Sequence, residues 1–300
     1  MKGERLKGLG TALVTPFKAD KSVDYEALAR LLDTQLTGAV DYIVVLGTTG
    51  EAATMSTDEK REVRQFIVKY VNGRVPLVLG VGGNNTQQVV SDLQAMRNEI
   101  ILDFTAILSV CPYYNKPNQE GLYQHFCEVA KASPVPVVLY NVPGRTGVNL
   151  LPETVMRIYE AHPDKIAGIK EASGNVEQIK RLIALSTEHR TQTADADRHN
   201  LLVISGDDGI ACEIMEAGGA GLISVASNAF PEDFHDIVHK KDQAKQTQYD
   251  EMVKLLFKEG NPVGIKAVLA QKGIIENYLR LPLVPASKDL QEEIQKEMAK

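Results

Sequence analysis

Short apolar runs alternate along this chain with longer stretches in which apolar residues return every three or four positions. The runs Leu9–Val14, Tyr42–Leu46, Leu77–Gly80, Phe104–Ser109, Pro136–Tyr140, Ile166–Lys170, Leu201–Ser205 and Gly221–Ser224 read as strands. Between them, Asp24–Thr37, Thr57–Val71, Thr86–Arg97, Gln119–Ala132, Pro152–Ala161, Val176–Ser186 and Ile210–Ala217 have the spacing of helices with one buried face. Helix starts are marked at Ser56/Thr57, with Glu59 and Lys60 following, and by Pro152 just inside its helix. Strands that are apolar almost throughout and separated by helices imply parallel pairing covered on both sides. Eight such units in ~230 residues predict an α/β fold, a closed (β/α)8 TIM barrel. The barrel is expected over residues 1–229. Helices around Pro231–Phe257, Val263–Gln271 and Leu290–Ala299 would form a C-terminal helical appendage over 230–300, packed on the barrel. The polar stretch Thr187–Asn200 has no apolar period and is expected to be a solvated loop away from the chemistry.

The competing doubly wound sheet usually brings a glycine-rich dinucleotide turn. Gly80-Val81-Gly82-Gly83-Asn84-Asn85 lacks the last glycine of that pattern, and no Walker lysine follows. Composition fits a globular protein: 300 residues, 44% hydrophobic and 24% charged. A formal net charge of -6 with no basic stripe argues against nucleic acid as a partner. Cys111, Cys127 and Cys212 are scattered and odd in number, which suggests a reducing compartment without a disulfide framework. No apolar run is long enough for a membrane span, and no signal-peptide core follows Met1, so a cytoplasmic location is expected.

Chemistry is expected at the C-terminal ends of the strands. Lys170 ends the apolar run Ile166-Ala167-Gly168-Ile169-Lys170. A lysine desolvated there tends to lose its proton, and a neutral amine can form a Schiff base with a carbonyl. The alternative is a lysine snorkelling to the surface. After the second strand, Gly47-Thr48-Thr49-Gly50-Glu51 offers small residues, two hydroxyls and free N–H groups as an anion cradle, or simply a tight turn and cap. Tyr140 ends the fifth strand and would point to the same barrel mouth as Thr48 and Lys170. The six histidines fall in helices or loops and are expected at the surface, including His235 and His239, four apart. The cysteines do not cluster, so no metal is expected and an amine mechanism is favoured over a metal-dependent one; a covalent imine on Lys170 would need no cofactor.

Three motifs carry a resemblance over nearly the whole chain: Gly47–Glu51, Tyr140-Asn141-Val142-Pro143-Gly144-Arg145-Thr146-Gly147 and Gly168-Ile169-Lys170-Glu171-Ala172-Ser173-Gly174. With Ser205-Gly206-Asp207-Asp208, Gly221–Val225, Asn261-Pro262 and Lys266, they are similar to the signatures of the dihydrodipicolinate synthase family. The first and third motifs are shared with other pyruvate lyases, and the arginine in the second is more specific to the synthases. The resemblance implies condensation of pyruvate with L-aspartate-4-semialdehyde in the diaminopimelate and lysine pathway. Lys170 would carry pyruvate as a covalent imine. Tyr140 would be the central acid/base, with Thr48 and Tyr114 completing a hydroxyl relay and Tyr114 reaching in from a neighbouring subunit of a homotetramer. Thr48 and Thr49 would hold the pyruvate carboxylate, Arg145 the carboxylate of the second substrate, and Gly206 and Ile223 would line the pocket through their backbones. The positions that bind lysine in feedback-sensitive relatives match Ala52, Ala53, Thr57, Lys60, Asn84, Gln88 and Tyr113. A neutral Gln88 and a cationic Lys60 lead us to expect weak or absent feedback. Another pyruvate aldolase, acting on sialic or keto-sugar acids, and a non-catalytic pyruvate sensor are the alternatives.

Overall fold

A computed structural model describes residues 3–98, 100–192 and 200–300. In chain order the elements are β1 (Gly8–Ala12), α1 (Tyr25–Thr37), β2 (Tyr42–Val45), α2 (Thr57–Val71), β3 (Leu77–Gly80), α3 (Thr86–Ala95), β4 (Ala106–Val110), α4 (Gln119–Ala132) and β5 (Val137–Asn141). They continue with α5 (Pro143–Thr146), α6 (Pro152–Ala161), β6 (Ile166–Glu171), α7 (Val176–Gln192), β7 (Leu202–Ser205), α8 (Ala211–Glu216) and β8 (Gly221–Ser224). The C-terminal helices are α9 (Pro231–Lys240), α10 (Gln243–Lys258), α11 (Val263–Gln271) and α12 (Lys288–Met298). The strands form a closed barrel in the order β1 to β8, a TIM barrel. Every residue of β1, β2 and β5 is buried, as parallel strands covered on both faces require. Among the described residues no helix is long and apolar enough to cross a membrane.

By contacts the chain divides into two compact units. One comprises Pro76–Ile223 with the N-terminal residues up to Lys7, and the other comprises Gly8–Val75 and Ser224–Lys300. In the first, β5 and β6 pair with Tyr140 opposite Lys170 and Asn141 opposite Glu171, and β6 and β7 pair with Lys170 opposite Ile204. In the second, β1 and β2 pair with Gly10 opposite Tyr42. Gly10 is required there, because a Cβ would lie 2.2 Å from the Tyr42 ring. Helix α2 opens with a reciprocal cap: Ser56 Oγ accepts from Glu59 N, and the Glu59 carboxylate accepts from Ser56 N.

Four differences from the sequence expectations have physical causes. Strands β5 and β6 each run one residue further, to Asn141 and Glu171, two polar residues that the apolar pattern had no reason to include. The stretch Pro231–Phe257 is two helices, broken at Lys241 in a left-handed conformation (φ 54°), with Asp242 capping the second. The expected loop from Thr187 is helical as far as Gln192. A formed helix propagates by one backbone bond per residue and needs no apolar face there, and the Thr187 and Thr191 hydroxyls are accommodated by donating to Ile183 O and Glu188 O at 2.9 and 2.8 Å. The rest of that predicted loop, 193–199, lies outside the described residues. Finally, His125 is not at the surface. It is 3% exposed on the apolar stripe Leu122, His125, Phe126 and Val129 of α4, 2.9 Å from Thr86 Oγ1. Burial pushes its imidazole down to about 4, so it packs as a neutral core residue.

Candidate active site

Lys170 is the penultimate residue of β6 and is 6% exposed. Its Nζ lies 4.6 Å from the ring centroid of Tyr140, its neighbour across the β5–β6 pair. Room for the side chain comes from Gly206, just past β7. A Cβ at Gly206 would stand 2.8 Å from Lys170 Cε and 2.7 Å from Ala172 Cβ. Burial is the largest influence on the amine and pushes its pKa down to about 8. The Asp208 carboxylate, itself fully buried, opposes that shift, and the Arg145 guanidinium adds to it. Among the described residues no carboxylate lies within ion-pairing distance of Lys170. Arg145 sits exposed on the short helix α5 directly after β5. Ile223 is buried in β8, one residue past Leu222, the register partner of Ser205.

The loop after β4 carries Tyr113 and Tyr114, which are 43% and 88% exposed. Tyr114 and Lys116 both take left-handed backbone angles, φ 73° and 48°, an unusual cost for side chains of that size. Asn84 Nδ2 donates to Tyr113 O at 3.2 Å, and Asn115 Nδ2 donates to Asn84 O at 3.1 Å. Gln88, on the exposed side of α3, bonds to Asp92 Oδ1 at 2.8 Å.

In the second unit, Thr48 is exposed and Thr49 is 3% exposed, both in the turn after β2. Asn261 Nδ2 donates to Thr49 Oγ1 at 2.9 Å. Glu51 closes the turn with a left-handed backbone (φ 52°) and a fully buried side chain. Its Oε1 is 2.5 Å from Lys266 Nζ, and its Oε2 accepts from Arg280 N at 3.1 Å. Of the expected effector positions, Ala52 and Lys60 are half-buried and Thr57 is exposed.

Residues 5–300 match the model of the Dihydrodipicolinate synthetase family. The chain belongs to that family. A relative named 4-hydroxy-tetrahydrodipicolinate synthase from Parabacteroides distasonis is 50% identical over 287 residues, covering 93% of this chain and 92% of its own length. One of the same name from Flavobacterium psychrophilum is 48% identical, covering 94% of each. The crystal structure of dihydrodipicolinate synthase from Thermotoga maritima superposes with a TM-score of 0.90 at 38% identity, covering 98% of this chain and 97% of that one.

Against the family motifs, the first unit gathers Lys170, Tyr140 and Gly206, with Arg145 and Asp208 acting on the amine. Three features went unread in the sequence. Asp208 stood in a recognised motif, but nothing in its spacing said that its charge would act on Lys170. Glu171, next to Lys170, is a second fully buried carboxylate. The Glu51–Lys266 pair is the third, and it had a legible signal: Val263–Leu269 is apolar on every side of Lys266, and all of it is buried.

Proposed function

We propose that this family member is a 4-hydroxy-tetrahydrodipicolinate synthase, condensing pyruvate with L-aspartate-4-semialdehyde by way of an imine on Lys170. One observation carries the proposal: a buried lysine with its amine pushed down to about 8, facing a buried tyrosine. Near neutral pH a useful fraction of such an amine is unprotonated. Its nitrogen adds to the ketone carbon of pyruvate and water leaves. The imine withdraws electrons, the methyl group gives up a proton, and the resulting enamine carbon bonds to the aldehyde carbon of the second substrate. That substrate's own amine then replaces Lys170 at the imine carbon and closes the ring. Over the cycle one water is lost and the lysine is regenerated.

In this scheme Tyr140 carries protons to the ketone oxygen that leaves as water and to the aldehyde oxygen, with Thr48 and Tyr114 as the rest of the relay. The hydroxyls and N–H groups of Thr48 and Thr49 hold the pyruvate carboxylate. Arg145 binds the carboxylate of the semialdehyde through its planar fork, and the backbones of Gly206 and Ile223 line the imine pocket. We assign no metal and no cofactor, a cytoplasmic location, and a homotetramer built as a dimer of dimers. The exposed, strained Tyr114 loop supports a role for that residue in a neighbouring subunit. Feedback by lysine is expected to be weak, because Gln88 is neutral and Lys60 is cationic.

The test is consumption of aspartate semialdehyde with pyruvate, measured beside N-acetylneuraminate and keto-deoxy sugar acids. Turnover of the semialdehyde alone is expected. Cleavage of a sugar acid with no semialdehyde turnover would assign the chain to another aldolase activity, and pyruvate binding with no turnover at all would make it a sensor.

A further inference from the structure

Glu171 follows the reactive lysine, and strand alternation sends its side chain to the opposite face from Lys170. It is fully buried, and among the described residues no cation lies within ion-pairing distance of it. N–H groups surround it instead. Asn141 Nδ2 reaches its two oxygens at 3.1 and 2.9 Å, Ser173 N donates to Oε1 at 2.8 Å, and Gln178 Nε2 donates to Oε2 at 3.0 Å. The donors are themselves fixed. Asn141 Oδ1 accepts from Leu150 N at 2.9 Å, and Asn149 Nδ2 donates to Gln178 Oε1 at 2.8 Å. Glu171 O also accepts, at 2.7 Å, from the N–H of Gly206, the residue that makes room for Lys170. Burying a carboxylate without a cation is costly, and an apolar side chain would fill the same space without that cost. What the carboxylate adds is geometry.

The β5–β6 ladder is irregular at its start. Val137 pairs with Ile166 but Val138 pairs with Gly168, so the register shifts by one residue. A one-residue slip sends every later side chain to the other face. The register at the far end therefore has to be fixed locally. The Asn141–Glu171 bond joins the pair immediately beyond Tyr140 and Lys170. We infer that Glu171 is a positioning residue: through Asn141 it locks the register of β5 against β6 and so fixes the approach of Lys170 to Tyr140. This rests on the proposed roles of Lys170 and Tyr140.

The experiment uses the full-length protein with pyruvate and borohydride, reading the rate of adduct formation at Lys170 by mass spectrometry per folded molecule. Wild type is compared with Glu171→Gln, Gln178→Met and the exchange variant Asn141→Asp/Glu171→Gln. Glu171→Gln sets two amide N–H groups against each other and should slow trapping by about 10- to 100-fold, the scale of a misplacement near 1 Å. The exchange restores an amide-to-carboxylate bond with its sense reversed and should recover part of that loss; the rest stays lost because Asn149 Oδ1, which accepts from Asn141 Nδ2 at 2.8 Å, would then meet a carboxylate. Gln178→Met removes one donor but keeps the Asn141–Glu171 bond, and should slow trapping roughly threefold. A folded Glu171→Gln that traps at the wild-type rate, or an exchange variant no better than the single one, would overturn the inference. Should Glu171→Gln fail to fold, an unchanged rate in Gln178→Met would overturn it. Wild-type protein that leaves Lys170 unlabelled overturns the functional proposal itself, a different result from any of these.

Discussion

Among the described residues two lysines are buried, one in each compact unit, and they have different surroundings. Lys266 has a fully buried side chain on α11. Its Nζ stands 2.5 Å from Glu51 Oε1, donates to Tyr278 O at 3.0 Å and faces the Phe17 ring at 4.3 Å. Burial pushes its pKa down to about 8, as at Lys170, although the Glu51 carboxylate and hydrogen bond pull the other way. Lys170 is buried to nearly the same degree, with an aromatic ring at 4.6 Å; Asp208 acts on its charge, but among the described residues no carboxylate is close enough to pair. Burial alone therefore does not make a lysine reactive. Both amines are pushed down alike, so what separates them is contact: at Lys266 a carboxylate and a carbonyl hold the nitrogen in a structural tie, whereas at Lys170 neither holds it and in the proposed reaction it is left to attack a carbonyl.

Exchanging either lysine for methionine should separate the two roles. Lys170→Met should abolish turnover and borohydride trapping, the largest effect expected, while the fold is kept or strengthened. The folded state holds the Lys170 proton less tightly than the unfolded chain, so burial of the ammonium costs stability in full below about pH 8. That cost is relieved as pH rises towards 10.5, the ordinary value. Any gain in melting temperature for Lys170→Met should therefore be greatest below pH 8 and shrink above it. A large loss of stability would mean that Lys170 is a structural tie as well.

Lys266→Met should do the reverse. It strands a buried carboxylate at Glu51, at a cost of about 3–5 kcal/mol, or a fall in melting temperature of roughly 10 °C. Trapping at Lys170 should persist in the folded fraction. Glu51→Gln/Lys266→Met should recover part of the stability, since losing both partners costs less than losing one. A double variant no better than the single would show that the pair is not what Lys266 contributes.

Arg145→Ala is the smaller perturbation. It should lower the specificity constant for the semialdehyde about tenfold to a hundredfold, the worth of one charge-assisted bond, and spare imine formation with pyruvate. Removing the guanidinium should also raise the pH midpoint of trapping, because Arg145 helps to hold the Lys170 amine down. Equal damage to both substrates would mean that Arg145 organises the pocket rather than recognising one of them.

The barrel was legible because its signals are local and repeated: eight apolar runs, and helices with a three- and four-residue period. Lys170 was legible for a related reason, as a cation at the end of an apolar run. Its proton affinity was only half legible. Burial followed from the run, whereas Asp208 and Arg145 act on it from other segments of the chain. Glu171 and Asn141 read as loop residues because polar side chains end an apolar pattern, yet both complete their strands. His125 was misjudged and Lys266 left unread for one cause: a polar side chain on a buried face is invisible unless the residues around it are weighed first. What remained unread in each case was a contact between residues distant in sequence.

The central claim, that Lys170 is the carbonyl-reactive amine, is tested most directly by mapping the pyruvate–borohydride adduct across a pH series. The account predicts one labelled residue, Lys170, with a labelling rate that rises through a midpoint near 8 as the amine loses its proton. An adduct on Lys266 or on a surface lysine, or labelling of Lys170 that rises only near the ordinary lysine value of 10.5, would contradict it.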